Sequence, residues 1–261
     1  MSTSRVWCTG ISNNSQYPTE TTIYQLRLED KDAEVDINED YSGTFPYSYR
    51  HTEDSPVVLS DINGNSYLIK NGRGLVVEKK HRSSPSDTKK KTGEGDFVTA
   101  YIDHGSSPSG ASYEYMMLVK PSGKEVGKFS KKLPYTVLKA DNDAHVVKDG
   151  ITGITAYISY RGYSSEQTLA AEIEKETIVM ERDRGDGTVV MSVCTPDLGI
   201  TKKGYTTSQP SQPITKEIKL NGKYVLVGEN DAVKAEDSGK GTKLSVSCIN
   251  GQPVEFIIKK S

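Results

Sequence analysis

Asp103 and His104 are the neighbours in this chain whose types most directly suggest proton transfer, because a carboxylate can orient an imidazole and hold its titration near neutrality. They open the polar connection DHGSSPSGA, residues 103–111, between the alternating runs Phe97–Ile102 and Tyr113–Val119. Gly, Pro and Ser favour turn geometry there, so 97–119 is expected to read strand, loop, strand in the manner of a hairpin. Adjacent side chains on an extended backbone point to opposite faces. Asp103 and His104 are therefore expected to anchor the loop rather than act as a dyad, with Glu114 across the hairpin as a hydrogen-bond partner to either.

A second candidate is Lys79-Lys80-His81-Arg82, followed after Ser84-Pro85-Ser86 by Lys89-Lys90-Lys91. Clustered cations recognise sulfates and carboxylates, which makes Lys79, Lys80 and Arg82 candidate contacts for an acidic glycan. Ser, Pro, Gly and Asp interleave these charges and no aromatic residue joins them, so a solvated basic loop is the plainer expectation. Fifteen tyrosines against one tryptophan raise sugar stacking as a further option, at Tyr41, Phe45, Tyr47 and Tyr49. Strand tyrosines more often pack with the hydroxyl toward water.

Other chemistries lack their frames. There is no GxSxG elbow, no GxxxxGK[ST] phosphate loop and no GxGxxG after a strand, and Asn71-Gly72-Arg73-Gly74 reads as a turn. His51, His81 and His145 stand apart from one another and from cysteine, and the acidic clusters at 29–32, 38–40 and 141–143 lack the full order of a calcium loop. No metal and no cofactor is expected. Nucleic acid is not expected as a partner either, for want of an RNP-like or helix-turn-helix frame.

The elements that must position these residues are strands. Thr22–Leu28 alternates cleanly, and Asn63-Gly64 falls between the apolar runs 57–62 and 65–69 as a strong hairpin signal. Further strands are expected at Leu75–Glu78, Tyr135–Lys139, His145–Lys148, Ile154–Tyr160 and Val189–Cys194, then at 214–220, 223–227, 243–248 and 254–259, where Asn221-Gly222 and Asn250-Gly251 punctuate. Only Ser122–Leu133 and Ser164–Glu174 have helical character, both short, and in the second Ser164 or Ser165 could cap a turn leading through Leu169 and Ile173. The fold class expected is all-β: a large antiparallel β-sandwich over residues 1–172, followed by a smaller one over 173–261.

Bulk properties fit such a fold and do little more. The 261 residues are 34% hydrophobic with a net charge of -2, too small for the global field to select a charged partner. Cys8, Cys194 and Cys248 are far apart without CxxC spacing, so free thiols are expected, with one oxidised pair as the alternative. No apolar run reaches membrane-spanning length, and Met1-Ser-Thr-Ser-Arg lacks the apolar segment of an export signal.

The 97–119 run, together with Tyr135–Asp149, Cys194-Thr195-Pro196-Asp197-Leu198, the start Trp7-Cys8-Thr9-Gly10-Ile11-Ser12 and Asn63–Ile69, resembles the carboxyl-terminal β-region of the chondroitin and hyaluronan lyases, polysaccharide lyase family 8. It looks most like the chondroitin ABC branch. The resemblance implies a supersandwich followed by a small terminal sandwich, a glycosaminoglycan as partner, and a secreted or periplasmic parent enzyme. It also implies that β-elimination belongs to a helical toroid that precedes the β-region, since the family's catalytic histidine, tyrosine and arginine have no matching position here. The expected role is thus scaffold and cleft wall, with no catalytic residue in the chain and the toroid as its partner. A free-standing carbohydrate-binding module is the alternative. An active lyase using Asp103, His104 and Tyr101 or Tyr113 ranks below both.

Overall fold

The structure, a computed structural model, describes residues 5–13, 15–85, 92–198 and 212–261. Lys89, Lys90, Lys91 and the Cys8 side chain lie outside what it describes. The chain divides into two compact units, Met1–Leu133 and Pro134–Ser261.

In the first unit the strands are β1 (Arg5–Asn13), β2 (Glu20–Arg27), β3 (Val35–Ile37), β4 (Asp40–Ser42), β5 (Tyr47–Arg50), β6 (Val57–Ser60), β7 (Ser66–Ile69), β8 (Leu75–Pro85), β9 (Thr92–Asp103) and β10 (Ala111–Leu118), followed by helix α1 (Gly123–Lys131). They form a six-stranded sheet in the order β1-β10-β7-β6-β3-β4 and a four-stranded sheet in the order β2-β9-β8-β5. Both are antiparallel throughout. Val57 and Leu59 of β6 and Tyr67 and Ile69 of β7 share one core with Leu75 and Val77 of β8 and Val98, Ala100 and Ile102 of β9. Residues two apart on each strand thus face the partner sheet, which is the sandwich the alternation implied.

Local chemistry sets the connections. The β6–β7 hairpin turns through Asn63-Gly64 with Gly64 at φ +79°, and the Asp61 carboxylate accepts the Asn63 and Asn65 amides and the Tyr67 hydroxyl. Helix α1 begins at Ser122, whose hydroxyl accepts the Glu125 amide while the Glu125 carboxylate accepts the Ser122 amide. The 97–119 run behaves differently from a hairpin. β9 pairs with β2 and β8, whereas β10 pairs with β1 and β7, so residues 104–110 cross from one sheet to the other. Turn-forming residues favour a change of direction, but strand pairing chose more distant partners.

The second unit contains β11 (Tyr135–Ala140), β12 (Ala144–Asp149), β13 (Ile154–Ser159), β14 (Tyr163–Ser164), β15 (Ala170–Ile173), β16 (Thr177–Asp183), β17 (Thr188–Cys194), β18 (Ile214–Asn221), β19 (Tyr224–Leu226), β20 (Val233–Asp237), β21 (Gly241–Cys248) and β22 (Val254–Lys260). A seven-stranded sheet, β11-β12-β13-β16-β17-β22-β19, and a five-stranded sheet, β14-β15-β18-β21-β20, enclose a core that includes Val146, Tyr157, Val179, Met191, Ile218, Leu244 and Ile258.

Two expectations fail here. The boundary lies between Leu133 and Pro134 rather than near Glu172, because β11, β12 and β13 hydrogen-bond onward to β16 and belong to the same sheet. Ser164–Glu174 is not helical: Ala170 and Ile173 are buried in β15, which pairs with β14 and β18, so sheet burial overrides a weak helical pattern. Cys194 and Cys248 are free thiols.

Candidate functional site

The basic cluster is built on β8, and its alternation sorts the charges. Leu75 and Val77 enter the core, and Lys79 follows them inward, with no solvent exposure at all. Its Nζ donates to the Ala33 and Gly43 carbonyls at 2.8 and 3.0 Å, and burial pushes its pKa below the usual lysine value. Lys79 is therefore a structural cation and not a ligand contact. The expectation of a solvated loop is corrected as well, since residues 79–85 are paired strand.

Lys80 and Arg82 point the other way, on the outer face of the four-stranded sheet. Between them stands Glu78, whose Oε2 is 2.5 Å from Lys80 Nζ and 3.6 Å from an Arg82 nitrogen. Each cation is partly neutralised and still partly exposed. At the strand's far end, His81 Nδ1 lies 2.9 Å from Asp96 Oδ1 and Lys31 Nζ 3.3 Å from Asp96 Oδ2, and the His81 hydrogen bond, then Lys31, holds the Asp96 carboxyl below its usual range.

Along β9, Val98, Ala100 and Ile102 face the core, so Tyr101 and Asp103 share the outer face with Glu78 and Lys80. Asp103 Oδ1 accepts the Gly105 amide at 2.9 Å and Oδ2 accepts from Arg50 of β5 at 2.9 Å. The Gly105 amide first, and Arg50 second, keep this carboxyl low. His104 turns away and shares a 2.7 Å hydrogen bond with Thr21, its ring 6.3 Å from that of Tyr113; desolvation lowers its pKa. Asp103 and His104 are thus separate anchors, as strand geometry requires. Glu114 partners neither of them: it accepts from Lys70 Nζ at 2.9 Å. Tyr101 and Asp103 fall on one face and His104 and Tyr113 on another, so the four groups do not converge.

Tyr47 and Tyr49 pack against the first unit's core rather than forming a stacking platform, because β5 alternates like its neighbours. Tyr41 is exposed. Among the described residues, no three His, Cys, Asp or Glu side chains gather as a metal site, and no helix is long and apolar enough to cross a membrane.

What the geometry offers is a sheet face bearing Arg50, Lys80 and Arg82 among carboxylates, on a sandwich whose span matches a known module. Residues 3–130 match the super-sandwich domain of polysaccharide lyase family 8. The chain carries a family 8 super-sandwich domain. Family 8 relatives extend the likeness into the second unit. The chain is 31% identical over 250 residues to the chondroitin sulfate ABC endolyase of Proteus vulgaris, covering 94% of this chain and 24% of that protein. It is 28% identical over 270 residues to the chondroitin sulfate ABC exolyase of Bacteroides thetaiotaomicron, covering 95% and 25%. The chain therefore spans about a quarter of the length of these relatives. In fold it is similar to the Paenibacillus xanthan lyase, with a TM-score of 0.72 at 17% identity over 98% of this chain and 25% of that one. It is also similar to the Streptomyces coelicolor A3 chondroitin AC lyase solved with chondroitin sulphate, with a TM-score of 0.65 at 18% identity over 98% and 31%.

Proposed function

We propose that this chain acts as the carboxyl-terminal β-region of a chondroitin-sulfate-type lyase, supporting and walling a cleft whose β-elimination is performed by a helical toroid. The observation that carries this reading is the alignment of nearly the whole chain with a quarter of two chondroitin ABC lyases. The site geometry agrees with it. β-Elimination needs a base for the uronate C5 proton, an acid for the glycosidic oxygen and a clamp on the carboxylate, all in one cleft. Asp103 is tied to Arg50 and His104 to Thr21, on different faces, so neither pair supplies that set. The parent enzyme would act outside the cytoplasm, where its polysaccharide lies. Lys80 and Arg82 are the residues through which the chain would touch a sulfated or uronate-bearing strand.

Incubation of the purified chain with chondroitin sulfate, following ultraviolet absorbance of the unsaturated product, is expected to give no rise. Supplying in trans the helical toroid that the reading calls for is expected to give turnover that Lys80→Ala/Arg82→Ala reduces. A steady rise from the chain alone would overturn the scaffold reading. Tight retention of the chain on immobilised glycan, with no gain on adding the module, would support the free-standing binding module instead.

A further inference from the structure

The basic run on β8 has no aromatic residue of its own, and the strand beside it supplies one. Lys80 pairs with Phe97 of β9, and Phe97 pairs in turn with Arg27 of β2, so one row across three strands reads cation, ring, cation. All three side chains belong to the outer face of the four-stranded sheet, because their chain neighbours Lys79, Val98 and Leu28 are buried on the other side. Gly95, two residues before Phe97, decides how the ring lies. A Cβ at that position would meet the Phe97 ring at 3.2 Å and Arg27 Nε at 3.5 Å, so the ring and the guanidinium occupy the space a side chain would fill. The ring therefore leans back along its own strand and lies low on the sheet. Phe97 stays partly exposed there, between the exposed Arg27 and Lys80.

The charge around this ring is unbalanced. Of the adjoining rows, one holds Arg82 opposite Gly95 and the other holds Glu78, so three cations face one carboxylate. Glu78 is engaged with Lys80 and Arg82, whereas Arg27 makes no hydrogen bond or ion pair among the described residues. His81, Glu94 and Asp96 fall on the opposite face by the same alternation and do not offset it. A flat apolar ring flanked by cations selects a ligand with an apolar face and acidic groups at its edge. A sulfated or carboxylated sugar meets both demands: its C–H face covers Phe97 while its anionic oxygens accept from Arg27 on one side and Lys80 or Arg82 on the other. A neutral sugar would leave the cations unused, and a small anion would leave the ring unused.

We infer that Phe97 and Arg27 complete a subsite for one acidic sugar residue on the outer face of the four-stranded sheet, with Lys80 and Arg82 as its second wall. The choice of a glycosaminoglycan as ligand rests on the proposed function. The test is titration of the isotope-labelled full chain at low salt with a chondroitin sulfate tetrasaccharide and with a neutral chitin tetrasaccharide, followed by amide and aromatic resonances. The acidic tetrasaccharide is expected to give saturable shifts centred on Gly95, Phe97 and Arg27, with a Kd on the order of 1 mM, too weak for tight retention of the chain. Phe97→Leu, which keeps apolar bulk and removes the ring, should weaken binding about threefold to tenfold, while Phe97→Tyr should retain it. Arg27→Ala, at an exposed position where the fold is not at stake, should weaken it about twofold to fivefold and flatten its salt dependence. Absence of saturable shifts, equal binding of the neutral tetrasaccharide, or insensitivity to both Phe97→Leu and Arg27→Ala would each overturn the subsite. All of this is read without the toroid, so loss of the subsite leaves the scaffold role standing, and absence of turnover in trans leaves the subsite standing.

Discussion

Arg50 on β5 reaches across β8, which lies between them, to hold Asp103 at the end of β9 at 2.9 Å. The bond fastens the start of the 104–110 crossover to the far strand of the four-stranded sheet. Both side chains are partly exposed, so the pair is expected to be worth less than about 1 kcal/mol. The Asp103 carboxyl is depressed in the folded chain, so its contribution is present above the unfolded value and lost as pH falls through the folded one. Arg50→Ala should therefore lower Tm slightly at neutral pH and not at all once Asp103 is protonated. An equal Tm deficit at both extremes would show that the arginine acts through packing alone.

Lys79→Ala should destabilise the first unit by about 3 kcal/mol, since it removes the donor to two carbonyls and leaves a cavity behind. Urea unfolding reads this directly. The same variant should leave glycan retention unchanged, and an unshifted unfolding midpoint with lost retention would return Lys79 to the surface role.

Lys80 and Arg82 carry the opposite expectation. Alanine at either should leave the stability within about 0.5 kcal/mol of the parent and, under the proposed role, reduce retention on chondroitin sulfate about twofold to fivefold, the range of a partly exposed ion pair. Glu78→Gln should raise retention, because it frees both cations from an internal partner. If Glu78→Gln lowers retention instead, Glu78 is positioning the two cations rather than competing for them.

Glu181 supplies a pH signature of its own. Desolvation raises its pKa from 4.5 to about 7, against smaller lowering effects of Tyr157, the Ala170 backbone and Lys148. A carboxyl with a raised folded pKa gives stability that is full below the unfolded value and is lost as pH rises through the folded one. Between 4.5 and about 7 the native chain should thus lose stability relative to Glu181→Gln, with a plateau above that range. Thermal unfolding of the two proteins across this window is the measurement. Parallel Tm profiles would show that Glu181 is already ionised in the folded state.

The inward turn of Lys79 and Glu181 was written in the chain, though charge obscures it. Lys79 continues the parity of Leu75 and Val77, and Glu181 that of Thr177 and Val179. A period-two count that ignores side-chain type finds both, whereas a search for charge clusters groups Lys79 with Lys80 and overlooks Glu181. Local signals served well where the partners are local. Asn63-Gly64 marks a true hairpin, Ser122 with Glu125 marks the only helix among the described residues, and the strand expected at 243–248 sends Leu244, Val246 and Cys248 into the core.

What remained hidden depends on distant partners. Nothing in 97–119 states that β9 will join β2 and β8 while β10 joins β1 and β7, because backbone hydrogen bonds carry no sequence label. The unit boundary was missed for the same reason. A break at Leu133–Pro134 becomes visible only when β13 is seen to pair with β16 across the intervening β14 and β15. The hydrogen bond between His104 and Thr21, 83 residues apart, was equally beyond local reading.

The pairing of β1 with β10 and of β2 with β9 also bears on how the first unit comes together. On a ribosome, the hairpin of β6 and β7 and that of β8 and β9 can close soon after each emerges, while β1 and β2 must wait for residues 92–118. During that interval two unpaired strands are open to association with other nascent chains, and the rate of completing β10 sets how long the hazard lasts.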